Sequence, residues 1–195
     1  MGRLNHFLQR HPFDFLPAQY WSRFFWSLLG LTAIFMIVFG ISGAPLTTTA
    51  APYGVISFEL AGTVKRSLLI LSSWDANAQL RAAFGLGLDY LFMVVYASTI
   101  AIGCGLAAQV LKHTGWPLGS WGSLLSWAVI LAAILDSIEN LALTTLIFGS
   151  VVSPWPEIAR WCAILKFALI FIGIVYVIFG GVVALVVRIS PPEEE

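Results

Sequence analysis

Four stretches of the chain are long and almost wholly apolar, covering residues 22–43, 78–111, 119–149 and 156–188. Each exceeds the roughly 20 residues that a helix needs to cross a hydrocarbon core about 30 Å thick. The pattern predicts an all-α integral membrane protein, a bundle of four transmembrane helices. Punctuation along the chain agrees. Asp75 is a suitable N-cap for the second helix and Gly149 a suitable stop for the third. Pro156 and Glu157 suit the first turn of the fourth, where a fixed φ and a negative charge are both favoured. The second span is long enough to require tilt or a protruding end.

Two segments do not fit the spanning pattern. Residues 1–21 mix Arg, His and Gln with Phe and Leu, and Pro12 and Pro17 interrupt any long helix. They read as an amphipathic segment lying along the interface. Residues 44–77 begin with a Pro-, Gly- and Thr-containing loop. Glu59, Lys65 and Arg66 then oppose Ile56, Phe58, Leu60, Leu68, Leu69 and Leu71. That is too many charges for a span, so an interfacial or re-entrant helical pair capping the bundle is expected. Ser42-Gly43-Ala44 has the spacing of a signal cleavage site, but the apolar stretch before it is long and Pro45 would follow the cut. The first span reads as a retained anchor. Residues 189–195 form a short acidic tail.

Composition strengthens this picture. The chain of 195 residues is 59% hydrophobic and 10% charged, against about 25% charged in soluble domains. No basic patch points to nucleic acid. Four spans leave both termini on one side, with Arg3, Arg10, Arg23, Lys112 and Arg188, while Lys65, Arg66, Arg81 and Arg160 lie on the other. The bias favours cytoplasmic termini in a cell inner membrane.

No cofactor is expected. His6, His11 and His113 lie outside the spans, so no span offers a haem ligand. Cys104 and Cys162 form no CxxC pair and belong near opposite ends of their spans.

Polar residues inside the spans carry the chemistry. Asp136, Glu139 and Asn140 share one helical face, extended by Ala128 and Ala132. The second span has a comparable stripe of Ala82, Gly85, Asp89, Tyr96 and Gly103, and the fourth has Ala159, Ala163, Lys166 and Gly173. Small residues let helices approach closely, and buried polar groups must face the bundle rather than lipid. At about 1.5 Å per residue, Asp89, Glu139 and Lys166 each lie roughly 15 Å from the same face, with Asp136 one turn deeper. Glu59, in the capping segment, sits over that end.

These residues support two readings. In one, Lys166 bridges carboxylates and the cluster only holds helices together, as in a structural or assembly subunit of a membrane complex. In the other, Glu59, Asp89, Tyr96, Asp136, Glu139, Asn140 and Lys166 form a site for a lipid-like or small ligand, or a relay for protons or cations. A charge at the bilayer centre costs about 2.5–3.5 kcal/mol even on lenient scales, and Ser, Thr or Asn would make cheaper glue. The acids also outnumber Lys166, so a proton or a bound cation must restore balance. Asp136 and Glu139 are close enough to act as an acid/base pair. Ser137 points away from Asp136 and has no histidine, which argues against triad hydrolysis. Lys166 argues against an oxygen-only Mg²⁺ or Ca²⁺ site. The partners implied are the bilayer, a lipid or small molecule, and a membrane-protein partner.

The runs LDYLF at Leu88–Phe92, LDSIEN at Leu135–Asn140 and LKF at Leu165–Phe167 resemble a group of small, uncharacterised bacterial four-span membrane proteins. The likeness covers roughly residues 55–185. It implies the four-span fold and singles out Asp89, Asp136, Glu139, Asn140 and Lys166. It implies no activity.

Overall fold

Phe25, Leu28, Thr32, Phe35 and Phe39 recur every three or four residues, so one stripe of the first apolar run can dock while the rest stays exposed. In the computed structural model, which describes residues 10–189, this run is helix α1 (Trp21–Gly43). Short helices α2 (Val55–Glu59) and α3 (Val64–Ser73) follow, then the long helices α4 (Ala76–His113), α5 (Gly122–Ile147) and α6 (Trp155–Ile189). Among the described residues there is no strand. Helices α1, α4, α5 and α6 are long and apolar enough to cross a membrane.

Local chemistry sets the boundaries. Asp75 caps α4, its Oδ1 accepting from Ala78 N at 2.7 Å, and Thr63 caps α3 by accepting from Arg66 N at 3.2 Å. At the end of α4, Gly115 adopts φ +69°, and the amides of Trp116 and Gly115 return to the carbonyls of Leu111 and Lys112. Gly149 does the same after α5 at φ +96°, with Ser150 and Gly149 donating to Thr145 and Leu146. Both are Schellman closures, which need a left-handed residue that glycine adopts without steric cost.

Helix α4 is central. It packs on α1, α5 and α6, while α5 and α6 pack on each other. Small residues permit the approach: a Cβ at Gly180 would lie 2.4 Å from Ala107 Cβ, and one at Gly122 would lie 2.4 Å from Ala108 Cβ. Gly173 is similarly closed by Val129 and Ile100, whereas Gly181 and Gly85 have nothing within 4 Å. Helix α1 contributes no buried residue within its most apolar window. Its docking stripe meets α4 through Thr32 and Thr99, whose hydroxyls are 3.2 Å apart, and through Phe39 edge-on to Phe92.

Helices α2 and α3 close the end where α4 and α6 begin and α5 finishes. Phe58, Ile70, Leu71 and Trp74 form one core with Ala78, Ala82, Ala142, Leu143, Leu146 and Ala159. Trp74 meets Phe58 edge-on at 5.3 Å and donates Nε1–H to Leu46 O at 2.9 Å. At the opposite end, residues 10–17 turn back over α4 and α5, so His11 is buried. This part of the amphipathic N-terminal segment is thus packed into the bundle at His11 instead of only lying along an interface. Residues 1–9 and the acidic tail from 190 onward lie outside the described residues.

Candidate functional site

The polar faces of α4, α5 and α6 converge beneath the α2–α3 cap. Lys166, from α6, extends Nζ to 2.6 Å from Asp136 Oδ1 and 2.9 Å from Glu139 Oε2, both on α5. Glu59 Oε2, from α2, is 4.0 Å from the same nitrogen. Tyr96, from α4, donates its hydroxyl to Asp136 Oδ2 at 2.9 Å. Asn140 Nδ2 donates to Asp89 Oδ2 at 2.7 Å. The seven residues singled out in the sequence thus fall into two groups, five around Lys166 and the separate Asp89–Asn140 pair. Asp89 is half-buried, pairs with Asn140, and makes no salt bridge to Lys166.

The cluster is closed. Glu139 is 0% exposed, Asn140 2%, Asp136 3% and Lys166 5%. Burial at this level leaves no open chamber for a chain-like ligand around Nζ. Within it the carboxyl groups are unequal. Asp136 is satisfied on both oxygens, by Lys166 and by Tyr96. Glu139 Oε2 pairs with the Lys166 ammonium, but its other oxygen, Oε1, has no hydrogen-bond partner. Glu59 Oε2 also lacks one. A buried ionised carboxylate without hydrogen bonds is costly, whereas a protonated one can donate to a neighbour. Burial pushes the Glu59 carboxyl above its ordinary value. Lys166 draws it back and Asp136 pushes it further up.

A metal has poor prospects here, because an ammonium group already occupies the point toward which the oxygens converge. Among the described residues, no group of three or more His, Cys, Asp or Glu side chains is arranged to hold a metal ion. Cys104 and Cys162 are free buried thiols. Tyr96 reaches the cluster, whereas two other helix tyrosines do not. Tyr90 approaches Ser137 O at 3.4 Å, and Tyr176 donates to Leu118 O at the far end.

The structure also contains a polar knot that the sequence did not reveal. His11 Nε2 is 2.9 Å from Ala101 O and 2.8 Å from Ser126 Oγ. His11 Nδ1 accepts from Phe13 N at 3.1 Å, which assigns the ring proton to Nε2. Ser126 Oγ also contacts Gly122 O at 2.8 Å and Ala101 O at 2.9 Å. The pair resembles half of a hydrolase triad. However, the tautomer is wrong for one, because Nδ1 accepts a backbone proton instead of donating to a carboxylate. The knot anchors residues 10–17 to α4 and α5. A lone histidine beside proline and phenylalanine gave no periodic signal for it.

The two knots are separated by a packed layer in which Met93, Tyr96, Ala97 and Val129 form one core cluster. Comparison with protein-family models, curated proteins and solved structures finds no match to the chain. Its class is therefore defined by its architecture: an all-helical protein with four helices long and apolar enough to cross a membrane, and a closed carboxylate–lysine cluster between three of them.

Proposed function

We propose that this is a multi-pass membrane protein with cytoplasmic termini, in which α2 and α3 form an interfacial cap over a proton-holding site. The likeness to small bacterial four-span proteins extends the proposal to a bacterial inner membrane. The observation that carries the reading is the Glu139 carboxyl, fully buried, with Oε2 2.9 Å from Lys166 Nζ and no hydrogen-bond partner for Oε1. Glu59, Asp136 and Glu139 face a single ammonium group, so the group of four is neutral only when two carboxyls are protonated. Glu59, carried by the cap itself, is the entry point. Glu139 receives the proton beside the Lys166 ammonium, and Asp136, fixed by Tyr96, holds the countercharge. The packed apolar layer around Val129 ends the relay at Tyr96, so this conformation exchanges protons with one side only. Proton loading would alter the bonds joining α4, α5 and α6, which couples the site to helix packing.

A second reading is favoured by the Tyr96–Asp136–Lys166 chain, which ties the same three helices together. In that case the protein is a structural or assembly subunit, and the cluster has no proton to exchange. A lipid-like ligand within the cluster is disfavoured by its closure.

Infrared spectroscopy of the protein in lipid nanodiscs separates the two. A protonated-carboxyl band should be present at neutral pH, shift on transfer to D₂O and titrate as pH is raised. Glu139→Gln and Glu59→Gln should each remove part of it. Absence of a protonated-carboxyl band in the folded wild type, or a band insensitive to both substitutions, would leave the structural reading.

A further inference from the structure

At the end of the molecule far from Lys166, residues 10–17 and the last turns of α4 enclose a cavity of about 210 Å³. His11, Asp14, Gln109, Lys112 and Ser123 supply its polar lining. A second, more open cavity of about 390 Å³ lies between the end of α4 and the end of α6, lined by Val110, Ala184 and Val187 with His113 and Thr114. Gln109 lines both, so a polar cup and an apolar groove adjoin along one helix.

The charges of the cup are the informative feature. Asp14 and Lys112 line the same cavity, yet neither makes an ion pair with the other or with any other described residue. Both side chains are exposed, and each is tethered at one point. Asp14 Oδ2 accepts from His11 N at 2.9 Å, which fixes the carboxylate to the anchored histidine. The Lys112 stem packs on Gly119, where a Cβ would lie 2.8 Å from Cγ. Trp21 lies against His11 at the floor, with ring centroids 4.5 Å apart and planes tilted by 41°. A fixed anion and a cation facing one cavity without pairing suit a ligand that carries both charges. An apolar groove beside them suits its chain.

We propose that this cup and groove bind a zwitterionic phospholipid whose headgroup carries a phosphate and a primary ammonium, as in phosphatidylethanolamine. Lys112 takes the phosphate and Asp14 the ammonium, with Gln109 and Ser123 as additional hydrogen-bonding groups. The acyl chain runs along Val110, Ala184 and Val187. A primary ammonium offers three donors; a quaternary choline offers none, so the site discriminates between the two. The proposal rests on the reading of the chain as a membrane protein, but not on the proton site.

The test places the full chain in nanodiscs containing equal parts of ethanolamine, choline and glycerol phospholipids. Lipids retained after gentle detergent extraction are then identified by native mass spectrometry. Ethanolamine lipid should be enriched over choline lipid on the order of tenfold, the factor expected from one charge-assisted contact. Asp14→Asn should abolish its preference over glycerol lipid, and Lys112→Gln should reduce retention of all three. Asp14→Asn and Lys112→Gln should each leave the protonated-carboxyl infrared band unchanged, which separates this site from the proton site. Glycerophosphoethanolamine, the headgroup without chains, should not displace the lipid. Retention that mirrors the nanodisc mixture, or enrichment untouched by both Asp14→Asn and Lys112→Gln in folded protein, overturns the proposal. Displacement by the chainless headgroup would overturn its assignment to a lipid.

Discussion

The two polar knots occupy opposite ends of the same three-helix core and solve burial in opposite ways. Around His11, the described partners are neutral apart from Asp14. The ring, the Ser126 hydroxyl and the Ala101 and Gly122 carbonyls satisfy one another. Around Lys166, three carboxyl groups crowd one ammonium, and Glu139 and Glu59 keep oxygens without hydrogen bonds. A satisfied neutral network fixes one geometry, whereas an unbalanced charged one responds to whatever supplies or removes a charge. Anchoring therefore belongs to the His11 end and responsiveness to the Lys166 end.

The largest effect should follow loss of the ammonium. Lys166→Met leaves Asp136 and Glu139 buried without their cation, and breaking a buried pair from one side costs about 3–5 kcal/mol. Unfolding in detergent should show a marked fall in stability. The double variant Lys166→Met/Asp136→Asn should recover part of it, because the uncompensated countercharge is gone. If the double variant is as unstable as the single one, the charge imbalance is not what Lys166 relieves.

At the neutral end the corresponding losses should be smaller. His11→Ala leaves Ser126 and Ala101 with fewer partners, at about 1–3 kcal/mol. Gly105→Ala attacks the same anchor sterically, since a Cβ there would lie 2.3 Å from the Trp21 ring and 2.9 Å from His11 Nε2. Overpacking of this kind typically costs about 1–3 kcal/mol. Both variants should expose residues 10–17 to limited proteolysis while leaving the Lys166 cluster intact, as read by its infrared carboxyl band. Unchanged proteolysis in both would mean that residues 10–17 are held by contacts other than the knot.

The different visibility of the two knots in the sequence has a physical cause. Charges inside apolar runs are conspicuous, and helical geometry fixes their face and depth. Asp136, Glu139, Asn140 and Lys166 can therefore be grouped from the order of residues alone, and Asp75 and Gly149 read correctly as a cap and a stop. His11 belongs to an irregular segment with Pro12 and Pro17, where no period transmits position. Its burial depends on Gly105 opening space on α4, where a Cβ would meet the Trp21 ring and His11 Nε2. Ser126 is equally silent, because a serine within an apolar helix ordinarily bonds back to its own turn, as it does here to Gly122 O. Depth also could not show that Asp89 would face Asn140 instead of Lys166, since that depends on side-chain direction across the helix contact.

The smallest and most discriminating effect should be the sign of the pH dependence at each end. Burial holds the Glu59 carboxyl above its ordinary value near 4.5, with Lys166 opposing the shift and Asp136 adding to it. The folded state then binds the proton more tightly than the unfolded chain. This contribution is fully present below pH 4.5 and is lost as pH rises through the higher folded value. Burial holds His11 below its ordinary value near 6.5, opposed by the Ala101 hydrogen bond and by Asp14. Its contribution is present above pH 6.5 and is lost as pH falls toward the lower folded value. Each single proton can contribute a slope of at most about 1.4 kcal/mol per pH unit. Glu59→Gln should flatten the alkaline limb of the stability profile and leave the acid limb, while His11→Gln should do the reverse. If both substitutions alter the same limb, the two ends titrate as one network across the Val129 layer, and the division between a neutral anchor and a charged, responsive cluster fails.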